Sequence, residues 1–95
     1  MNISFIGGGI MAEAIIRGIL GANIASSRDI SVSDPIKLRR QYLSETYDVS
    51  TYSSNADVIS RSELVILSIK PQNLKEVVWE IKSSLSSKNT IVSIS

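Results

Sequence analysis

The sequence predicts an α/β chain built as a doubly wound parallel sheet, five or so strands with helices on both faces. Three observations predict it. Short uncharged apolar runs such as Ile3–Ile6 and Leu64–Leu67 have the length and composition of strands buried on both sides. Between them lie longer stretches whose apolar residues recur at three- and four-residue spacing, as on one face of a helix. The two kinds of segment alternate along the whole chain, as parallel strands joined by crossover helices require.

Element by element, Ile3–Ile6 reads as the first strand. From Ile10 to about Leu20, the residues Met11, Ala14, Ile15, Gly18 and Ile19 form one helical face, with Gly18 expected to allow close packing. Gly21-Ala22-Asn23 reads as its stop. Ile30–Ser33 is a short second strand, and Asp34-Pro35 is the corner into a second helix, with the proline in its first turn. Leu38, Tyr42 and Leu43 are the expected apolar stripe of that helix, leaving Lys37, Arg39 and Arg40 on a solvated face. Asp48–Tyr52 reads as a weak third strand, and Asn55 as a cap for a short helix over Ala56–Ser60. After the fourth strand, Pro71 opens a helix in which Leu74, Val77, Val78, Ile81 and Leu85 share a face, with Trp79 half-buried on it. Thr90–Ile94 is the last strand. Right-handed crossovers make 3-2-1-4-5 the expected strand order.

Three glycines, Gly7, Gly8 and Gly9, stand between the first strand and the first helix, with Ala12 three places on. Read as Gly7-x-Gly9-x-x-Ala12, this is the dinucleotide-binding fingerprint of Rossmann sheets in its Gly/Ala variant. Gly7 permits the sharp turn, Gly9 leaves no Cβ between the backbone and a pyrophosphate, and Ala12 keeps the helix close to the sheet. The helix N-terminus aims free N–H groups and a positive dipole end at the phosphates. Ligands of such sheets lie beyond the carboxyl ends of the strands. Those ends carry the glycines, Ser33-Asp34, Ser54-Asn55, Ser68-Ile69-Lys70-Pro71 and Ser95. Asp34 lies 25 residues past Gly9, where an acid would accept hydrogen bonds from the adenosine ribose and repel a 2′-phosphate; it fits equally well as an N-cap. Lys37, Arg39 and Arg40 could instead approach a 2′-phosphate, although their spacing more often marks a solvated helix face. Lys70 is placed to touch the diphosphate or line the nicotinamide side. Tyr42, Tyr47 and Tyr52 read as packing residues.

Composition narrows the function further. The 95 residues carry 20% charged side chains and a net charge of +1, which suggests neither a nucleic-acid partner nor an acidic tail. With no histidine and no cysteine, the chain holds no zinc site of the usual ligands, no disulfide, no thiol nucleophile and no histidine-based triad. The absence of cysteine fits a reducing cytoplasm. There is no basic, apolar secretory leader and no apolar run approaching the roughly 20 residues that span a bilayer.

Phe5-Ile6-Gly7-Gly8-Gly9-Ile10-Met11-Ala12-Glu13-Ala14-Ile15, with Ile69-Lys70-Pro71-Gln72 and Val92-Ser93-Ile94-Ser95, resembles the amino-terminal domain of pyrroline-5-carboxylate reductases. The resemblance implies a domain spanning residues 1–95 that binds NAD(P)H through Gly7 to Ala12, Ser33, Asp34, Asn55, Ile69, Lys70 and Pro71. It also implies a cytoplasmic enzyme of proline biosynthesis that reduces 1-pyrroline-5-carboxylate to L-proline. Two residues depart from the family pattern. Ile10 stands where asparagine or glutamine is usual, removing a polar contact near the phosphates. Asp34 stands where a small hydroxyl residue favours NADPH, which tilts this chain towards NADH. The family continues past Ser95 into a helical domain that forms the oligomer and most of the substrate pocket. None of that is in these residues, nor is an acid able to protonate an imine, so turnover by this chain alone is not expected. A related F420-dependent NADP reductase or β-hydroxyacid dehydrogenase domain is the rival enzyme reading. A nucleotide-sensing module without chemistry is the rival outside enzymes.

Overall fold

A computed structural model describes residues 1–94; Ser95, expected at the end of the last strand, lies outside the described residues. Five strands, β1 (Ile3–Ile6), β2 (Ile30–Ser33), β3 (Ser50–Tyr52), β4 (Leu64–Ser68) and β5 (Thr90–Ile94), form one sheet in the order β3-β2-β1-β4-β5. Every neighbouring pair is parallel. This is the expected order. Four α-helices connect the strands: α1 (Ile10–Gly21), α2 (Lys37–Tyr47), α3 (Asn55–Ile59) and α4 (Leu74–Ile81). No helix among the described residues is long and apolar enough to cross a membrane.

Side-chain alternation in the central strands divides the core in two. Phe5 and Ile66 point to one face, where they pack with Ala12 and Ile16 of α1, Val32 of β2 and Leu43 of α2. Ile6, Val65 and Leu67 point to the other, against Val58 and Ile59 of α3 and Ile81 of α4. The helices therefore cover both faces, as the doubly wound reading requires. β1 and β4 are nearly continuous apolar segments because each is covered twice, and burying one such side chain contributes about 1.5–3 kcal/mol. The one polar residue inside β1, Ser4, donates its hydroxyl to the Val58 carbonyl at 2.9 Å, and Ser62 donates to the same oxygen at 2.6 Å. These bonds fasten α3 and the loop after it to the sheet.

Several helix faces differ from the sequence reading by a rotation of one position. In α1 the buried residues are Ala12 and Ile16, with Ile15, Ile19 and Leu20 beside them. Met11, Ala14 and Gly18 are exposed, and Gly18 makes no close approach. In α2 only Leu43 is buried, while Leu38 is 76% exposed. Pro35 precedes the helix instead of occupying its first turn, and Asn55 is the first residue of α3 rather than its cap. In α4 Val78 is largely exposed and Trp79 is 71% exposed, its ring lying under the Lys82 ammonium at 3.8 Å. The stripe formed by Leu74, Val77 and Ile81 fixes the buried face of α4, and Trp79 falls outside it.

Candidate functional site

The three glycines do three different jobs. Gly7 leaves β1 with φ +98°, a conformation that L side chains rarely adopt, and a Cβ there would lie 2.2 Å from the Ser68 carbonyl oxygen. Its N–H donates to the Ser33 carbonyl at 2.8 Å, continuing the β1–β2 pairing one residue past the strand. Gly8 is buried, and a Cβ on it would meet a Leu43 methyl at 2.7 Å and Val32 at 3.1 Å. Its N–H donates to Asp34 Oδ2 at 2.9 Å, and its carbonyl accepts from Arg39 Nε. Gly9 is open: nothing lies within 4 Å of where its Cβ would be. Its carbonyl accepts the Glu13 N–H at 3.0 Å, starting the hydrogen-bond ladder of α1. The N–H groups of Gly9, Ile10, Met11 and Ala12 have no protein acceptor among the described residues. A helix N-terminus of this kind is an anion-binding surface.

Asp34 follows the last residue of β2 and is almost wholly buried. Its second oxygen, Oδ1, accepts the Ile36 N–H at 2.8 Å. The N-cap of α2 is Ile36, two residues on, so Asp34 does not cap the helix as its sequence position suggested. It brackets the glycine turn to the β2–α2 loop instead. Ser33 donates its hydroxyl to Asn55 Oδ1 at 2.7 Å, and the Asn55 amide reaches Glu80 Oε2 at 3.4 Å. Lys70 is exposed in an extended conformation ahead of a short 3-10 turn over Pro71–Asn73.

These residues converge on two adjoining grooves at the carboxyl edge of the sheet. The larger, about 540 Å³, is lined by Gly7, Gly8, Gly9, Ser33, Asp34, Asn55, Ile69 and Lys70 among others. The smaller, about 260 Å³, is lined by Gly9, Ile10, Met11, Ser68, Ile69, Lys70, Pro71 and Ile94. Ala12 lines neither; the whole residue is buried against the sheet, where it holds α1 close to β1. The sequence reading did not include Glu76, Val77 and Glu80, which α4 adds to the larger groove. Their signal was the helical spacing of residues 76 and 80, one turn apart on the helix that follows Lys70. The charged lining is therefore Asp34, Glu76 and Glu80 against Lys70.

A second group also escaped the sequence reading. Glu13, in the first turn of α1, accepts hydrogen bonds from Arg39 Nη2 at 2.7 Å, from the Tyr42 hydroxyl at 2.7 Å and from the Tyr47 hydroxyl. The Arg39 guanidinium also lies 5.1 Å from the Tyr42 ring centre. Arg40 donates to the Asp34 carbonyl at 2.8 Å. Arg39 and Arg40 are thus half-buried and bonded, not members of a solvated face; only Lys37 is exposed as expected. The hydrogen bond from Tyr47, then those from Tyr42 and Arg39, hold the Glu13 carboxyl at a pKa of about 2. The same Glu13 bond pushes the Tyr47 hydroxyl up to about 12.

A doubly wound parallel sheet with a glycine turn at the carboxyl end of its central strand defines a Rossmann-type domain. The chain belongs to the family described as NADP oxidoreductase, coenzyme F420-dependent, which matches residues 2–95. It is 36% identical over 93 residues to pyrroline-5-carboxylate reductase of Arabidopsis thaliana, an alignment covering 98% of this chain and 34% of the relative. A pyrroline-5-carboxylate reductase structure from Coxiella burnetii superposes with a TM-score of 0.91 at 33% identity, over 98% of this chain and 34% of that one. The Plasmodium falciparum pyrroline carboxylate reductase, solved with NADP bound, gives a TM-score of 0.82 at 26% identity, over 99% of this chain and 33% of that one. The chain thus spans about a third of the length of the relatives it matches.

Proposed function

We propose that residues 1–95 are the cofactor domain of an NAD(P)H-dependent pyrroline-5-carboxylate reductase, the enzyme that reduces 1-pyrroline-5-carboxylate to L-proline. The observation that carries this reading is the glycine turn: Gly9 opens onto both grooves, and the N–H groups of the exposed residues Gly9, Ile10 and Met11 lack protein acceptors among the described residues. The relatives named above, at 33–36% identity along nearly the whole chain, support the reaction. In this reading Gly7 to Ala12 receive the diphosphate. Ser33, Asp34 and Asn55 flank the adenosine ribose, while Ile69, Lys70 and Pro71 line the nicotinamide side. Bound nicotinamide supplies the hydride, and the chain's part is to orient it and to hold the diphosphate charge. Substrate pocket, proton donor and oligomer contacts belong to the remaining two thirds of the enzyme, a homo-oligomer of the cytoplasm.

The same reading extends to cofactor choice. Three carboxylates against one ammonium line the larger groove, and Arg39 and Arg40 are already bonded within the protein. The Asp34 carboxylate beside the ribose would repel an additional 2′-phosphate, which favours NADH over NADPH. An F420-dependent NADP reductase is the second reading, favoured by the family description. It is the weaker one, because the relatives at 33–36% identity along nearly the whole chain carry the name pyrroline-5-carboxylate reductase.

Calorimetric titration of this chain with NADH, NADPH and S-adenosylmethionine tests the site. Binding of NADH ahead of NADPH, with no S-adenosylmethionine binding, is expected. Silence towards both nicotinamide cofactors at millimolar concentration defeats the reading. For the reaction, this chain replaces the matching third of the Coxiella burnetii enzyme. The chimera should oxidise NADH when given pyrroline-5-carboxylate, and an inactive chimera that binds NADH counts against the substrate assignment.

A further inference from the structure

Arg39 sits on α2, outside both grooves, yet it is bonded directly to the glycine turn. Its Nε donates to the Gly8 carbonyl, and its Nη2 is held at 2.7 Å by Glu13 Oε1. Both flanks of the Gly8 residue are therefore fixed from the protein side, the N–H by Asp34 Oδ2 and the carbonyl by Arg39. All peptide bonds here are trans, so the Gly8 carbonyl and the Gly9 N–H point in opposite directions across one planar unit. Holding the carbonyl towards α2 turns the Gly9 N–H away from it. That N–H has no protein acceptor, and Gly9 is shared by the two grooves. Glycine has no Cβ to limit this peptide's rotation, so without the arginine it would be free to flip and present a carbonyl where an anion is to bind. Glu13 is itself over-determined, taking hydrogen bonds from Tyr42 and Tyr47 as well, and these fix the carboxylate that fixes the guanidinium.

We propose that Arg39, anchored by Glu13, is a positioning residue for diphosphate binding: it orients the Gly8–Gly9 peptide so that the Gly9 N–H faces the ligand. The inference rests on the cofactor-domain reading above. Arginine is needed because its planar fork bonds two acceptors at once, whereas lysine offers a single rotating ammonium.

The test uses the full chain, with ADP and adenosine as probes that differ in the diphosphate, and the Gly9 amide resonance as a readout in the free protein. Arg39→Met should weaken ADP and NADH by about tenfold. Adenosine affinity should stay unchanged, and the Gly9 amide signal should shift or broaden before any ligand is added. Arg39→Lys should recover only part of the loss. Where Arg39→Met fails to fold by thermal melting, Glu13→Gln serves instead, since it keeps an acceptor for the tyrosines and removes the charge that anchors the guanidinium. It should lower ADP affinity in the same direction. A folded variant that binds ADP like the parent, with an unmoved Gly9 signal, overturns the inference and leaves the cofactor-domain reading standing. Equal losses for adenosine and ADP overturn it too, because they would mark a general loosening of the groove. If the parent chain itself binds neither ADP nor NADH, both proposals fall together.

Discussion

Gly7 and Gly9 are two residues apart and separate stability from binding. A methyl group at Gly7 has no room and the wrong backbone conformation, with the Ser68 carbonyl 2.2 Å away. Gly7→Ala should cost about 1–3 kcal/mol or more, read as a lowered thermal midpoint with or without ligand. At Gly9 nothing lies within 4 Å, so Gly9→Ala should melt with the parent while its affinity for NADH falls, because the new methyl projects where the ligand must approach. Equal melting of both variants would contradict this division. The sharp turn at Gly7 and the open position of Gly9 were legible in the sequence, since strand, turn and helix flank them in the required order. The role of Gly8 was not. It is the unspecified position of the fingerprint, and its constraint comes from Leu43, Val32 and Asp34, which only the folded chain brings to it.

The α1–α2 contact is where sequence periodicity failed and electrostatics took over. Tyr42 was expected to face the core. It stands instead at the junction of the two helices, edge-on to Tyr47 with ring centres 6.4 Å apart, both hydroxyls turned to Glu13. A polar contact between helices leaves no apolar period to read, so neither Glu13 nor Arg39 was marked by spacing. The contact predicts a pH dependence. Glu13 titrates below its ordinary value of 4.5, so the native state binds its proton more weakly than the unfolded chain. Its stabilisation is complete above pH 4.5 and is lost as pH falls towards about 2. Tyr47 is raised from 10.0 to about 12, so its contribution is complete below pH 10 and is lost as pH rises towards 12. Urea melts of the parent and Glu13→Gln should differ by a constant amount between pH 4.5 and 10 and converge as pH falls towards 2. A difference that persists unchanged at pH 2 would rule out the assignment.

At the scale of the whole molecule, strand order and the two-faced core were readable, because β1 and β4 carry no charge and alternate with helical segments. The packing of α4 was readable from Leu74, Val77 and Ile81, but the exposure of Trp79 was not, since a lone large aromatic residue carries no period. The groove draws on loops after β1, β2 and β4 and on α3 and α4, so the site exists only when these three strands and both helices are assembled. Ligand should therefore stabilise the chain as one unit. At a concentration one hundred times the dissociation constant, NADH should add about 2.7 kcal/mol to global unfolding. Hydrogen exchange should slow in β3 and β5 as well as beside the glycines; protection confined to the glycine turn would show that the sheet's edges unfold independently.

The central place of β1 also bears on time. The earliest strand in the sequence is the middle strand of the sheet, paired with β2 on one side and with β4 on the other. During synthesis, β1, β2 and β3 can pair while residue 64 is still to be made, leaving one edge of β1 bare. Ser68, whose carbonyl crowds Gly7, arrives later still. A nascent chain thus holds its glycine turn half-enclosed until β4 docks, and competence to bind a nucleotide marks the moment when the two halves of the sheet have met.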